Sequence, residues 1–365
     1  MASVFRERLR AAFALPHYLA APFSGVDVST SGVKAVRLAK DIRGFVLAEY
    51  SQVRLPTGAF DGDVIDRATI VKAVTAAAKE IGTTSANAAL AESKSYLFET
   101  TVPGNKKTEW RTSIEQRLEE LVPLPPSETA FDIISLNQKS KEGEESVVGI
   151  GFARRIVDGM LAVFDEAQIS VRALEEETFA MARALLPVGD TSTVLIIDVG
   201  KTTTKMAIVS HCIPRFATTF NIGGHSLTLA VQKYFGVTEA EARKVKAEHG
   251  IVPAPGNEEY IAAMLSTVSA IRDEISRRLE YWQGKGVLAE GREKVSRVIL
   301  SGGYVSVRGF PEYLEGALKI PVVTGDVFTN FASRDVWIPP LEYSESLAYA
   351  TAIGLALRDA TDSYA

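Results

Sequence analysis

One short pattern occurs twice in this chain, and the repeat restricts its fold more than any other feature. The segments GVDVSTSGVKAVRL (residues 25–38) and IDVGKTTTKMAIV (residues 197–209) each end an apolar strand in an aspartate, pass through small or hydroxylated residues and enter a second apolar strand. Asp27 matches Asp198, and Lys34 matches Lys205 seven positions further along. Self-similarity within one chain points to a duplicated fold. The surroundings repeat too. From residue 24 the strands SGVDV, KAVRLA and FVLAEYSQVRL follow one another across STSG and DIRG, and after residue 193 VLIIDVG, KMAIVS and RFATTFNIGG do the same.

Each loop places a carboxylate at a strand end, followed by residues small enough for backbone N–H groups and hydroxyls to approach phosphate oxygens. One such loop is ordinary turn chemistry, because Gly, Ser, Thr and Asp build most hairpins. Two of them facing across a cleft would clamp a triphosphate, with Asp27 and Asp198 holding Mg²⁺ through water, since magnesium dehydrates reluctantly. A third element comes later in the chain. The segment VILSGGYVSVRGF runs from a β-branched strand into Gly302–Gly303 and a helix, so that backbone can lie against a purine and its first phosphate. Lys201, inside the second loop, either meets phosphate or points to solvent.

Between and after the repeats the periodicity alternates. Residues 66–81 put Ile70, Val71, Val74, Ala78 and Ile81 on one helical face. Strands at 87–91 and 95–102, a helix over 108–122 ending at VPLPP, strands at 129–136 and 147–153, and a helix over 155–168 suggest a small inserted unit spanning 87–168. A strand end at 171 leads into a helix within LEEETFAMARALL. Helices are expected at 225–235, 238–249 and 258–283, then a strand at 297–303, a helix near 310–318, a strand at 320–325 and a small-residue helix at 343–358.

At 365 residues two lobes are expected, on a prior of roughly 100–200 residues per domain. The net charge of −5 disfavours nucleic acid as a partner. A single cysteine, Cys212, excludes an internal disulfide and fits a reducing compartment. No apolar run approaches the ~18 residues of a membrane span. The first 23 residues interleave Arg6, Arg8 and Arg10 with Phe5, Leu9 and Phe13, which suits either contact with anionic lipid or a leader packed on the first strand.

The order of loop, loop and Gly-Gly resembles the actin and sugar-kinase ATPase superfamily with its phosphate-1, phosphate-2 and adenosine motifs. NIGGHSLT (221–228), AEARK (240–244) and LEEETFAMARALL (174–186) resemble its FtsA and PilM branch. The beginning YLAAPFSGVDVSTSGVKAVRL, the segment ETTVPGNKKTEWRTSIEQRLEELVPLPPSETAFDII and the end ESLAYATAIGLALR are similar to the PilM family of type IV pilus assembly proteins. The resemblance implies an α/β, actin-like ATPase fold: two RNase H-like domains facing a nucleotide cleft, with an inserted subdomain 1C. It divides the chain into a leader (1–23), subdomain 1A (24–86), 1C (87–168), a connecting remainder of domain 1 (169–190), domain 2 (191–342, with subdomain 2B at about 224–300) and a C-terminal helix returning to domain 1 (343–365).

By the same matching Ser29, Thr30, Ser31 and Lys34 face the phosphates from one side, and Gly200, Lys201, Thr202 and Thr203 from the other. Gly223 and Gly224 join the nucleotide set, Glu241 and Lys244 sit near the ribose, and Gly302 and Gly303 flank the adenine. Glu175 takes the place of a water-orienting residue, within an acidic run that also suits a solvated helix start. Ser29 stands where the superfamily commonly has Gly, which implies slow turnover without loss of ATP or ADP binding.

The implied partner is the N-terminal cytoplasmic peptide of the inner-membrane protein PilN, with self-association into rings or filaments as a further expectation. The implied location is cytoplasmic, peripheral to the inner face of the membrane. Tyr96, Phe98 and Trp110 are either groove or core residues. An FtsA-like division protein is disfavoured, because the sequence ends at ALRDATDSYA rather than in a basic amphipathic helix. A small-molecule kinase is disfavoured because no acidic substrate motif lies outside the nucleotide loops.

Overall fold

A computed structural model of the chain describes residues 23–42, 44–104, 107–139, 143–284, 293–305 and 307–359. The leader, with Arg6, Arg8 and Arg10, lies outside the described residues. Strands β1 (Phe23–Ser29), β2 (Gly32–Asp41) and β3 (Gly44–Arg54) form a meander, followed by helix α1 (Arg67–Glu80) and strand β4 (Ser85–Leu90). Next come β5 (Ser95–Val102), helices α2 (Lys107–Glu115) and α3 (Leu118–Leu121), strands β6 (Thr129–Lys139) and β7 (Glu145–Ala153), and helix α4 (Arg154–Glu166). Strand β8 (Ser170–Glu176) runs directly into helix α5 (Glu177–Leu185).

The second half repeats the meander as β9 (Thr193–Val199), β10 (Thr204–Ser210) and β11 (Ile213–Phe220). Helices α6 (Gly224–Phe235), α7 (Glu239–His249) and α8 (Glu258–Gly284) follow, then β12 (Arg297–Ser301), α9 (Phe310–Leu318), β13 (Val322–Thr324), α10 (Tyr343–Ser346) and α11 (Ala350–Leu357). The expected final helix is thus broken by a turn at 347–349.

The duplication is visible in the sheets. One has the order β3-β2-β1-β4-β8 and the other β11-β10-β9-β12-β13, the same path traced twice. In both, three antiparallel strands are joined by two parallel ones. Strands covered on both faces read as continuous apolar runs, and Val194, Leu195, Ile196 and Ile197 are fully buried. Helix α8 carries Ile261, Met264, Val268, Ile271, Ile275, Leu279 and Trp282 inward at a 3.6-residue period.

The inserted unit is smaller than the sequence suggests. A separate sheet of order β5-β7-β6 spans 95–153, whereas β4 pairs with β1 and β8 inside the first sheet. Helix α4 packs Ile156, Met160, Val163 and Phe164 against Ile70 and Val74 in the core of the first sheet. Burial decides this boundary, because α4 has its apolar stripe on that core. Likewise β12, placed by expectation at the end of 2B, pairs with β9 in the second sheet. Phe98 and Trp110 are core residues of the small sheet, and Trp110 Nε1 donates to the Pro103 carbonyl at 2.9 Å. Tyr96 is exposed.

Helix α11 closes the chain against the first sheet. A Cβ on Gly354 would lie 1.8 Å from the Ala180 carbonyl oxygen of α5, and one on Gly25 would lie 2.1 Å from the Ala352 oxygen. Only glycine permits these backbones to approach so closely.

Candidate nucleotide site

The two repeated hairpins meet across a cleft of about 1210 Å³. In the first, Asp27 pairs with Lys34 and Ser29 with Gly32, leaving Thr30 and Ser31 as a two-residue turn. The Ser29 hydroxyl donates to the Gly32 carbonyl at 3.0 Å and lies 3.0 Å from Ser31 Oγ. In the second, Asp198 pairs with Lys205 and Val199 with Thr204, leaving the four-residue loop Gly200–Thr203, closed by Gly200 N–H donating to the Thr203 carbonyl at 2.9 Å. The loop tips touch, with Thr30 Oγ1 and Thr202 Oγ1 3.1 Å apart.

Asp27, Ser29, Thr30, Ser31, Lys34, Asp198, Gly200, Lys201, Thr202, Thr203, Gly302 and Gly303 all line this cleft. Lys201 is half-buried in the wall of this cleft. Burial pushes the Asp27 carboxyl up to about 6, against the opposing pull of Lys34 and Lys205. Burial also raises Asp198, again opposed by Lys205. Asp27 Oδ1 is buried with no hydrogen-bond partner among the described residues.

An orphaned carboxylate oxygen beside a second desolvated carboxylate suits a divalent cation, which would relieve both. No group of three or more His, Cys, Asp or Glu residues is arranged to hold an ion among the described residues. Two carboxylates, with water and phosphate completing the shell, is the arrangement magnesium favours.

Five expected positions lie elsewhere. Gly223 and Gly224 do not line the cleft; they brace the second loop from behind, with Gly224 N–H donating to the Gly200 carbonyl at 3.0 Å and His225 N–H to that of Lys201 at 2.9 Å. A Cβ on Gly224 would strike the Tyr304 ring at 2.1 Å, so glycine serves packing there. Glu241 and Lys244 also fall outside. Glu241 closes the N-terminus of α7 in a capping box with Thr238, and Lys244 is exposed. The cleft face of α7 carries Arg243, Lys246 and Ala247 instead. The Lys246 ammonium is buried, donates to Thr228 Oγ1 at 3.1 Å and sits 4.8 Å above the Tyr304 ring; burial lowers it to about 8.

Glu175 is likewise displaced from the cleft. Its carboxylate takes two hydrogen bonds from Arg183, at 2.7 and 3.0 Å, and another at 2.5 Å from Arg358 of the C-terminal segment. The strand-to-helix switch after residue 176 sends the three successive glutamates in three directions. Glu176 is the buried N-cap of α5 and accepts from Thr178 N–H at 3.0 Å; burial, reinforced by Glu177, holds its carboxyl well above the usual range.

Glu177 is the one that reaches the cleft, where it accepts from Lys205 Nζ at 2.5 Å. Lys205 Nζ stands 4.0 Å from Asp198 Oδ2. Burial alone would lower the Lys205 ammonium, but Glu177, Asp198 and Asp27 together raise it, so it stays charged.

The chain matches the family model described as "Type IV pilus assembly protein PilM" over residues 25–360. It is similar to a solved PilM-PilN type IV pilus biogenesis complex at 19% identity, covering 93% of this chain and 98% of that chain, with a TM-score of 0.73. MreB 5 of Spiroplasma citri bound to AMPPNP matches at 15% identity over 93% of this chain and 96% of its own, with a TM-score of 0.55. The ethanolamine utilization protein EutJ from Carboxydothermus hydrogenoformans matches at 17% identity over 94% and 90%, with a TM-score of 0.52. At these identities the likeness concerns the fold, which is the actin-like ATPase fold.

Proposed function

Because its residues 25–360 match that family, the chain belongs to the PilM family of type IV pilus assembly proteins, and we propose that it is a nucleotide-dependent clamp within the pilus assembly platform. The ligand is ATP or ADP with magnesium. The partner is the N-terminal cytoplasmic segment of a PilN-like inner-membrane protein. The observation that carries the reading is the pair of aspartate hairpins meeting across one cleft, with a buried Asp27 oxygen left without a partner.

The residue roles follow from position. Hydroxyls and amides of Ser29, Thr30, Ser31, Gly200, Thr202 and Thr203 donate to phosphate oxygens, and Lys34, Lys201 and Lys205 supply positive charge. Asp27 and Asp198 hold magnesium, which when bound neutralises phosphate charge. Gly302 and Gly303 leave room for the purine, and Arg243 with Lys246 faces the sugar side. MreB 5, a protein of the same fold, is described as bound to AMPPNP, which favours the nucleotide assignment. The likeness to a PilM-PilN complex over 93% of this chain favours the peptide assignment. No described helix is long and apolar enough to cross a membrane, and capture of an anchored peptide would hold the protein at the inner face of the cytoplasmic membrane.

Calorimetry with ATP and magnesium on the wild type and Asp198→Ala tests the cleft. Affinity is expected to fall at least tenfold in the variant, and equal binding would sink the assignment of that loop. A pull-down with synthetic N-terminal peptides of inner-membrane pilus proteins tests the partner; retention of none of them would overturn the clamp reading.

A further inference from the structure

Glu177 has two carboxylate oxygens and spends them on two different parts of the molecule. Oε2 accepts from Lys205 Nζ at 2.5 Å inside the cleft. Oε1 accepts from the backbone N–H of Glu92 at 2.9 Å. Glu92 opens the single 3₁₀ turn of residues 92–94, which leads directly into β5, so this N–H sits at the root of the three-stranded sheet. The carboxylate of Glu92 in turn accepts from Thr219 Oγ1 on β11 at 2.5 Å. Further along β5, Glu99 takes a double hydrogen bond from Arg215 of the same β11, one arm at 2.8 Å. Glu92 and Glu177 are 7% and 4% exposed, so neither link is screened by bulk water.

We infer that Glu177 is a positioning residue that transmits occupancy of the nucleotide cleft to the root of the three-stranded unit. This rests on the reading of the cleft as a phosphate site. Lys205 is one of the cations lining that cleft, with Lys34 and Lys201, and an arriving polyphosphate draws its ammonium inward. Glu177 then has two partners that separate, a buried ammonium and a backbone N–H. In a buried site opposite full charges attract more strongly than a charge and one amide dipole. Glu177 therefore follows Lys205, and the hydrogen bond to the Glu92 N–H is the one given up. The 3₁₀ turn loses its tie to α5, and the unit that begins at β5 is left held by its contacts with β11.

The Glu92 amide hydrogen is itself the reporter. Its deuterium exchange is isolated by mass spectrometry from overlapping peptides that begin at or before residue 88 and end just before or just after Glu92, with and without the non-hydrolysable ATP analogue AMPPNP and magnesium, while calorimetry records binding separately. In the wild type the ligand is expected to speed exchange at Glu92 at least tenfold. Glu177→Gln keeps an acceptor for the amide but removes the charge that follows Lys205, so the amide should stay protected with or without ligand. Glu177→Ala should exchange fast in both states. If calorimetry shows binding to the wild type while Glu92 exchange is unchanged, or if Glu177→Gln responds as the wild type does, the coupling is refuted although the cleft stands. If no nucleotide binds the wild type, the phosphate-site reading fails and the coupling fails with it.

Discussion

Replacing Glu92 by Gln should stabilise the protein at alkaline pH and make little difference in mild acid. Burial pushes the Glu92 carboxyl from the usual 4.5 up to about 7; Glu177 pushes in the same direction, while the Thr219 hydrogen bond, Lys205 and Arg278 oppose it. The folded value lies above the unfolded one, so the folded state holds the extra proton between them. The corresponding stability is fully present below about pH 4.5 and is lost as pH rises through about 7. A rise from 4.5 to about 7 is worth about 3 kcal/mol at about 1.4 kcal/mol per factor of ten.

Gln is neutral throughout and keeps an oxygen for Thr219. The stability of Glu92→Gln relative to wild type should therefore grow by about 2.5 kcal/mol between roughly pH 5 and pH 8. Urea denaturation at the two pH values, followed by tryptophan fluorescence, reads this difference, and any pH-independent cost of the amide group cancels. Parallel pH curves for the two proteins, or a gap that narrows as pH rises, would refute the assignment of Glu92 as a buried acid that is neutral in the fold.

Gly354→Ala should lower unfolding stability by about 3–5 kcal/mol, from overpacking against α5 together with weakening of the 2.8 Å bond from Arg183 to the Gly354 carbonyl; a denaturation midpoint near wild type would show that α11 is not seated as described. Glu241→Ala removes the capping box and should cost about 1 kcal/mol of stability while leaving nucleotide affinity within about twofold. Arg243→Ala on the same helix should do the reverse, weakening nucleotide binding roughly tenfold, as expected for loss of a charged contact of about 1.5 kcal/mol. Calorimetry and melting of both variants distinguish these patterns, and matching behaviour would mean that the cleft face of α7 is wrongly assigned.

The parts of this molecule that are legible in its sequence are those where one residue type has one structural use. The aspartate and lysine of each hairpin are separated by a turn built of small or hydroxylated residues apart from Lys201, and a duplicated sheet is the simplest way to have two such hairpins. Phase is harder to read. LEEE places its glutamates across a change from strand to helix, where side-chain direction stops alternating, so local spacing does not select Glu177 over Glu175. The A-E-x-x-K segment conceals a choice between helix cap and cleft contact. There Thr238 followed three residues later by Glu241 is a capping signal visible in the sequence, and it outweighs the ribose assignment. Gly223 and Gly224 look like phosphate-loop glycines because both uses demand the same absence of a side chain. The strand SANAAL (85–90) has no β-branched residue, so its membership of the first sheet depends on tertiary pairing.

The two hairpins share a sequence pattern but differ in build, and the difference decides what each loop tip is tied to. The first has a two-residue turn, and a Cβ on its Gly32 would come within 2.3 Å of the Val53 carbonyl, so it is fastened to β3. The second is a longer loop supported from behind by the amides of Gly224 and His225, which open α6. The position of Gly200 and Lys201 is thereby linked to that of α6. Duplication supplied two matching halves; a two-residue difference in turn length leaves one tip held within its own sheet and ties the other to the start of a helix.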